Sequence, residues 1–450
     1  FYVDNTCIYC YYMCRSDIVL KRKIYDKLIS WKDNHRNNCL MVIGARQVGK
    51  TYIIREFGDK NYERFYELNF ISNKEYQDIF SGDIDAGTIL RKMSLVIPNF
   101  EIVPNKTLIF LDEIQDCPNA ITALKFLAQD NNFDCIASGS MLGMAYKRVT
   151  SFPVGYVDRV YMDSLDFEEF CWANGCSCDA IKYLKEDFLS NKAVSDSVHK
   201  RMLELFKSYI VLGGMPDVIN EFLETQNYNL AQNVQRRIIS DYKDDIIKYA
   251  DETDKVKIRA CFDSIPFQLA KENKKFKYKV VEKNSNKKKY YGALQWLYDA
   301  GIINFCYNLT NPEFPFEGNK IDDCFKVYMR DTGLLVAMLD DGTNTDIMNG
   351  NLAIYKGAIY ENVIADIFHK LGKKLYYFEK NSTLEIDFFI RFEDVATAVE
   401  VKSADNTKSK SLKSVMSNYN VAKGIKLSAK NSNQITENVI SMPLYMCMFL

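Results

Sequence analysis

The chain has 450 residues, of which 47% are hydrophobic and 26% are charged, and its formal net charge is −1. This length predicts two to four domains of roughly 100 to 200 residues each, and the balanced charge excludes a protein that binds polyanions through bulk charge. No apolar stretch reaches the about 20 residues that a membrane-spanning helix requires, so we expect a cytoplasmic protein with no membrane partner.

Residues 1–15 are an N-terminal extension of uncertain role. They are rich in aromatic residues and cysteine, but they lack the basic start and apolar core of a signal peptide. Cys7, Cys10 and Cys14 are the right residue type for zinc, yet no fourth Cys or His lies close by, as a closed tetrahedral site requires. Most of the other cysteines lie scattered in apolar runs, which predicts buried free thiols in a reducing compartment.

The next feature is a short apolar run followed by a glycine-containing loop. CLMVIG, residues 39–44, predicts a buried strand; ARQVGKT completes the pattern G-x-x-x-x-G-K-T, and YIIREFG predicts a helix. In this context the loop surrounds phosphate with backbone N–H groups, Lys50 brings positive charge, and the Thr51 hydroxyl is offered to Mg²⁺. We therefore predict ATP and Mg²⁺ as cofactors, with the nucleotide held by Gly44, Ala45, Arg46, Gln47, Val48, Gly49, Lys50, Thr51 and Tyr52.

A second buried strand, KTLIFLD, ends in two carboxylates. We predict that Asp112 joins Thr51 in the Mg²⁺ shell and that Glu113 orients or deprotonates the attacking water, with Lys50 as the other catalytic residue. The alternative is an acidic loop after a strand. The following strand, FDCIASGS, places Ser138 where a polar group can sense the γ-phosphate. Strands alternating with helices predict an α/β fold with a parallel sheet and the nucleotide at the carboxyl ends of the strands.

Residues 181–250 show the apolar spacing of helices, interrupted by GGMP at 213–216. Because proline suits the first turn of a helix, this turn is expected to start a new helix at DVINEFLE. Helices in this position form a lid over the nucleotide in P-loop ATPases of this broad class. Arg236 and Arg237 follow nearby, and a phosphate contact by either one is left open.

Residues 251–340 predict two or three helices and a β-hairpin, which is compatible with a winged helix. The run 274–289 holds eight lysines and one glutamate, and it suits contact with the phosphates of DNA. YYGALQWLYDAGIINFCYNL predicts a helix that runs into a strand. Two alternatives remain open: the lysine run is a solvated hairpin, or the whole segment is a helical spacer.

The last part of the chain carries carboxylates in the order found in nucleases with a restriction-endonuclease-like fold. Glu361 lies in a predicted helix, Asp387 in the strand LEIDFFI, and Glu400 and Lys402 in the strand AVEVKS. Carboxylates in this order hold Mg²⁺, and the lysine orients water or neutralises charge. We predict Glu361, Asp387 and Glu400 as metal ligands, with Asp387, Glu400 and Lys402 catalytic and Glu385 as a second choice. The alternative is a hairpin with one charged face.

Together, GARQVGKT, LIFLDEIQ, SGSMLG, YIVLGGMPDVI, FKVYMRDTGLL and VEVKS resemble prokaryotic AAA-type ATP-binding proteins that carry a C-terminal domain of unknown function. The resemblance covers nearly the whole chain after about residue 16. It implies a P-loop ATPase core, a winged-helix segment and a restriction-endonuclease-like domain. The expected bounds are 1–15 for the extension, 16–180 for the core, 181–250 for the lid, 251–340 for the winged-helix-like segment and 341–450 for the last domain.

The resemblance also implies that Arg159 lies near the nucleotide or against a neighbouring copy in a homo-oligomer. A surface arginine on a strand is the alternative. Tyr156 stands where similar proteins often have a lysine, which argues against a phosphate contact there. Two functions are compatible with these features. One is an ATPase that couples hydrolysis to DNA binding and to cleavage by the C-terminal domain, and the other is an ATP-dependent switch that binds DNA or a protein partner without cutting.

Overall fold

The computed structural model describes seven stretches of the chain, residues 20–34, 38–142, 153–271, 274–351, 356–380, 384–402 and 410–450. The predicted N-terminal extension with its three cysteines lies outside these stretches, as does His35. No helix within these stretches combines the length and apolar character needed to cross a bilayer.

The first half of the chain forms a five-stranded sheet in the order β2-β3-β4-β1-β5, in which every neighbouring pair is parallel. This confirms the predicted parallel sheet. β1 and β3 are fully buried apolar runs because helices cover both faces of the sheet. The elements in chain order are α1 (Ile24–Asn34), β1 (Cys39–Gly44), α2 (Lys50–Asn61), β2 (Arg64–Asn69), α3 (Ala86–Val96), β3 (Thr107–Asp112), α4 (Pro118–Ala128), β4 (Asp134–Ser140) and β5 (Val157–Met162).

The middle of the chain is helical, as predicted. Its elements are α5 (Phe167–Ala173), α6 (Cys178–Leu189), α7 (Asp196–Leu212), α8 (Pro216–Thr225), α9 (Tyr228–Tyr249) and α10 (Glu252–Leu269). Pro216 is the first residue of α8, where its missing N–H group removes no helical hydrogen bond. The GGMP turn therefore starts a helix, as expected, and this turn sets α8 beside the phosphate-binding loop.

The lysine-rich run is not a hairpin. It forms the short helix α11 (Tyr278–Val281), a turn, and the start of α12 (Lys287–Asp299). The predicted passage from helix to strand is confirmed, because α12 leads into β6 (Ile303–Leu309). A connection containing α13 (Phe316–Asn319) then returns the chain as β7 (Lys320–Met329), which pairs antiparallel with β6.

The remaining strands join β6 and β7 in one mixed sheet of eight strands, in the order β12-β13-β11-β10-β9-β8-β6-β7. This sheet contains strands from both sides of residue 340, where a domain boundary is predicted. Its further elements are α14 (Thr332–Ala337), α15 (Thr343–Asn349), α16 (Lys356–Lys370), β8 (Leu375–Lys380), β9 (Leu384–Phe392), β10 (Val395–Val401), α17 (Lys410–Asn418), β11 (Lys423–Ser428), β12 (Gln434–Thr436) and β13 (Val439–Pro443).

A buried aspartate joins three parts of the molecule. The Asp331 carboxylate accepts hydrogen bonds from the Ser164 hydroxyl at 3.0 Å, from the Gly214 N–H at 2.8 Å and from the Leu334 N–H at 3.1 Å. Gly213 must be glycine here, because a Cβ atom would lie 2.0 Å from Asp331 Oδ1 and the backbone φ is +71°. Asp331 thus fixes the end of the first sheet, the GGMP turn and the start of α14 to one another.

Candidate functional site

The loop between β1 and α2 forms one wall of a cavity of about 820 Å³. Gly49 takes the left-handed backbone conformation (φ 92°) that lets the loop turn into α2. Residues of α8 and α9 line its opposite side, where the sequence predicts a lid. Seven predicted site residues line it, namely Arg46, Gln47, Gly49, Lys50, Thr51, Tyr52 and Glu113.

Lys50 is buried at the floor of this cavity. Its ammonium group donates hydrogen bonds to the carbonyl oxygens of Gly44 at 3.1 Å and Ala45 at 2.8 Å. Burial lowers its pKa to about 8, although the carboxylates of Glu113 and Asp112 act in the opposite direction. The hydrogen bonds of this buried ammonium group go to carbonyl oxygens. A buried cation of this kind favours the binding of an anion. The side chain is therefore suited to hold phosphate.

Asp112 ends β3 and gathers polar groups from three neighbouring elements. It accepts hydrogen bonds from the Thr51 hydroxyl at 3.1 Å, from the Asn69 amide at 2.7 Å and from the Ser138 hydroxyl. Burial raises the pKa of Asp112, while the Ser138 and Thr51 hydroxyls lower it. Thr51 and Asp112 thus present oxygen atoms side by side, which is the ligand type that Mg²⁺ prefers.

Glu113 follows Asp112 with a left-handed backbone conformation (φ 53°), which is uncommon for a residue other than glycine. Its carboxylate accepts a hydrogen bond from the Gln115 amide. The conformation turns Glu113 into the cavity while Asp112 faces the sheet edge. A strained backbone of this kind is often found at functional sites, because surrounding contacts must hold it in place.

The cavity also contains residues that the sequence did not reveal. Arg22 donates to the Val48 carbonyl of the loop at 3.0 Å and to the Asp163 carbonyl at 2.6 Å, and its guanidinium pairs with Glu169 at 3.2 Å. Nothing in the local sequence marks Arg22, which lies on the segment before α1. The sequence did carry a signal for Asn69, because it is a polar residue at the carboxyl end of a strand beside β3.

Arg159 is exposed on β5, an edge strand of the five-stranded sheet, and does not line the cavity. Its contact with a neighbouring copy stays a prediction. Of the two lid arginines, Arg237 lines the cavity and Arg236 pairs with Asp341 outside it.

A second charged cluster lies in the C-terminal half, between α16 and the eight-stranded sheet. Glu361 on α16 accepts from the Tyr328 hydroxyl at 3.0 Å and pairs with Lys274 and, at 3.5 Å, with Lys326. Lys326 also pairs with Glu385 at 2.7 Å. Burial acts to raise the pKa of Glu361, but Lys326 and Lys274 hold it down at about 2. The carboxylates of this cluster are thus neutralised by lysines.

Asp387 belongs to the same cluster. The register between β8 and β9 shifts beside Asp387, where β9 holds one extra residue between the pairs Tyr376–Phe389 and Phe378–Ile386. Burial, then the negative charge of Glu361, raises the pKa of Asp387 to about 7. Its carboxylate accepts one hydrogen bond from the Val401 N–H at 2.8 Å.

Glu400 and Lys402 point to the opposite face of the sheet. Val399 packs in the large core that includes α16, whereas Ala398 packs in a smaller core beside α17. Since successive strand residues alternate between faces, Glu400 and Lys402 share the face of Ala398. They pair with each other at 2.6 Å.

The structure therefore does not bring the predicted nuclease residues into one site. Glu361, Glu385 and Asp387 lie on the α16 side with Lys326, while Glu400 and Lys402 lie on the other side. Within the seven described stretches, no group of three or more His, Cys, Asp or Glu side chains is arranged to hold a metal ion.

Comparison with known proteins bears on the first cavity. Residues 36–171, which contain the loop, both carboxylates and all five strands of the first sheet, match the family model described as "AAA domain". This part of the chain is an AAA-type P-loop ATPase domain. The match supports ATP hydrolysis by this domain at the general level of AAA-type ATPases. The regions 203–345 and 356–445 match two models that are each described as a domain of unknown function, DUF8612 and DUF4143.

Whole-chain comparisons add little to the AAA assignment. No curated protein matches the sequence. Similar solved structures include the Walker-type ATPase paby2304 of Pyrococcus abyssi, at 12% identity over 72% of this chain and 97% of that chain, with a TM-score of 0.43. PCH-2 of C. elegans is 12% identical over 44% of this chain and 54% of that chain, with a TM-score of 0.23. ORC1 of Aeropyrum pernix, solved in complex with DNA, is 10% identical over 73% and 90%, with a TM-score of 0.28. Scores this low do not establish a shared architecture.

Asp387 leads to a prediction of pH-dependent stability outside the AAA domain. Because its folded pKa is raised to about 7, the folded chain holds a proton between about pH 4 and 7 that the unfolded chain has lost, so stability falls as pH rises through this window. We expect Asp387→Asn to lose roughly 2–3 kcal/mol less stability than the wild type between pH 5 and pH 8, because each pH unit below the folded pKa contributes about 1.4 kcal/mol. Urea unfolding at both pH values measures this, and equal losses in the two proteins would contradict it.

Proposed function

We propose that the chain is an ATP-dependent switch, in which nucleotide turnover in the AAA domain controls the binding of DNA by the lysine-rich segment. The observation that carries the proposal is the cavity between the loop and α8, which Lys50, Thr51 and Glu113 line and beside which Asp112 accepts a hydrogen bond from Thr51. Lys50 would hold the phosphates, and Thr51 and Asp112 would hold Mg²⁺, which polarises the phosphoryl oxygens when bound. Glu113 would orient the attacking water, since its carboxylate reaches the cavity.

The proposed DNA binding rests on exposed lysines that form no ion pair within the described part of the chain. Four lysines of the run are exposed and form no ion pair with any residue that the structure describes, namely Lys277, Lys279, Lys283 and Lys288. The other members are partly used within the molecule, for example Lys274 with Glu361 and Lys275 with Glu379. These lysines lie just before and within α11, in the turn that follows it and at the start of α12. Such lysines can contact backbone phosphates, and contacts of this kind do not recognise the base sequence.

The arrangement of helices supports the same proposal. α10, α11 and α12 precede the antiparallel pair β6 and β7, which is the element order of a winged helix. In that arrangement α12 is the helix closest to DNA and the β6–β7 connection is the wing. Lys288 lies in the first turn of α12 beside Lys287, which pairs with Asp323, and there it would meet the backbone phosphates.

The C-terminal sheet is proposed to act as a binding and structural unit and not as a nuclease. Two lysines already neutralise the carboxylates beside α16, and Glu400 faces away from them. A metal ion at Glu361 would first have to displace Lys274 and Lys326, because both ammonium groups occupy its carboxylate oxygens. Burial and this pairing oppose such a displacement.

The test is DNA binding by a variant in which Lys277, Lys279, Lys283 and Lys288 are all alanine. We expect at least a roughly tenfold loss of affinity at physiological salt and a salt slope that is smaller by about 3, because each phosphate contact contributes about 0.9 to the slope. Fluorescence anisotropy with a labelled duplex, recorded over a salt series with and without ATP, measures both quantities.

The control variant removes four lysines that sit in surface ion pairs elsewhere, namely Lys60, Lys106, Lys182 and Lys413. It changes the net charge equally, so the same loss in both variants would reject a local DNA site.

Incubating the wild type with supercoiled DNA and Mg²⁺ or Mn²⁺ tests the second part of the proposal, that the C-terminal sheet does not cut DNA. If the wild type cuts the DNA and neither Asp387→Ala nor Lys402→Ala does, the C-terminal sheet is a nuclease and the proposed switch without cleavage is wrong.

A further inference from the structure

The phosphate-binding loop is joined to helix α9 by side chains that are not needed to form the loop. The Arg46 guanidinium pairs with Asp245 at 2.7 Å and donates to the Tyr249 hydroxyl at 3.0 Å. The neighbouring Gln47 amide donates to Asp241 at 2.7 Å. Asp241, Asp245 and Tyr249 are four residues apart in turn and therefore share one face of α9. This face is directed at the loop.

Arg46 also faces the nucleotide cavity. Its side chain lines the cavity together with Lys50, and its positive charge is one of the influences that lower the pKa of Lys50. The guanidinium is thus close enough to the phosphate position to respond to a bound anion. Arginine pairs well with either a carboxylate or a phosphate, because its planar group donates two parallel hydrogen bonds to both.

Arg46 is the largest influence that favours the charged form of Asp245, and Lys248 adds to it. Its side chain is only 6% exposed, and burial raises its pKa to about 6 although Arg46 lowers it. A carboxylate in this position is costly once its partner leaves, since an unpaired buried charge is destabilising. Removal of the guanidinium would weaken the attachment of α9 to the loop.

We propose that Asp245 and the nucleotide phosphates compete for Arg46. Without nucleotide, Arg46 links α9 to the loop; with ATP bound, the guanidinium turns to the phosphates and this link is lost. The inference rests on the proposed function, because it requires nucleotide binding in this cavity. α9 also carries Lys243, which pairs with Asp263 on α10 at 2.8 Å. A movement of α9 would therefore be transmitted to α10, the helix that precedes the lysine-rich segment.

If Asp245 and the phosphates compete for Arg46, replacing Asp245 should strengthen ATP binding instead of weakening it. Asp245→Asn removes the competing charge, so the full-length variant should bind ATP about fivefold more tightly than the wild type, within the usual range for coupled sites. Arg46→Ala should weaken ATP binding. In the double variant Arg46→Ala/Asp245→Asn, the second substitution should have no further effect, because nothing remains to compete for. Isothermal titration with ATP measures all four dissociation constants.

The charge-matched control is Asp254→Asn, which neutralises a carboxylate on α10 that pairs with Lys257 and should leave ATP affinity unchanged. A weaker dissociation constant for Asp245→Asn, or one equal to that of the wild type, would overturn the competition and make Asp245 a support for the loop. Failure of the proposed function would look different, because the wild type itself would then bind no ATP. Thermal unfolding curves of each variant confirm that the compared proteins are folded.

Discussion

Replacing Lys50 with alanine is expected to lower ATP hydrolysis at least about 100-fold, which corresponds to roughly 3 kcal/mol of lost transition-state stabilisation. The side chain is the buried cation nearest the phosphate position, and its pKa is already depressed to about 8 by burial. A bound phosphate would raise this pKa again, so Lys50 stays charged and stabilises negative charge where it develops. Alanine leaves the backbone N–H groups of the loop and Arg46, but no buried ammonium group, for that purpose. Phosphate release under saturating Mg²⁺ and ATP measures the effect.

The companion variant Glu113→Gln separates binding from hydrolysis. Glutamine keeps the size of the side chain and its contact with Gln115, but it cannot orient or accept a proton from water as a carboxylate does. ATP binding should therefore survive while turnover falls. Lys21→Ala, on the surface beside Cys178, serves as the control and should retain full turnover. Normal hydrolysis by Lys50→Ala would mean that this cavity is not the site of turnover.

Replacing Lys326 with alanine is expected to destabilise the folded chain by about 2–4 kcal/mol, because it takes one of two lysine partners from the buried Glu361 carboxylate and removes a positive charge near the buried Asp387. Lys326 is only 1% exposed and pairs with both Glu361 and Glu385. Burial opposes its charged form, but these carboxylates raise its pKa. The midpoint of urea unfolding, followed by circular dichroism, reports the loss.

Lys413→Ala provides the comparison, since that lysine and its partner Glu437 are both exposed and should contribute nothing measurable. The double variant Lys326→Met/Glu361→Gln should recover part of the stability, because it removes charge from both sides. If Lys326→Ala unfolded at the same urea concentration as Lys413→Ala, the cluster would not be the buried ion network described above.

The AAA half of the chain was predictable because its signals are local. A strand, a glycine-containing loop and a helix are adjacent in sequence, and parallel strands bring their carboxyl ends to one edge by geometry alone. Lys50, Thr51 and Asp112 follow from these two facts. The link between Arg46 and Asp245 does not, because it joins positions about 200 residues apart and depends on how α9 packs.

The C-terminal site shows where local reasoning stops. Strand alternation correctly places Glu400 and Lys402 on one face, and the contact between them agrees. Alternation within β10 says nothing about which face Asp387 takes on β9, because a register shift beside β8 resets the alternation there. Lys326 gave no signal either, since a lysine in an apolar strand has no pattern that reveals its partners.

The eight-stranded sheet limits how the molecule can move. β6 and β7 are hydrogen-bonded into the same sheet as β8 through β13, and shearing one strand from its neighbour would break a ladder of backbone bonds. The lysine-rich segment and the carboxylate cluster therefore move together as one unit. On the proposed function, nucleotide turnover would move this unit as a whole relative to the AAA domain, and a truncation after residue 340 would leave β6 without its hydrogen-bonded neighbour β8.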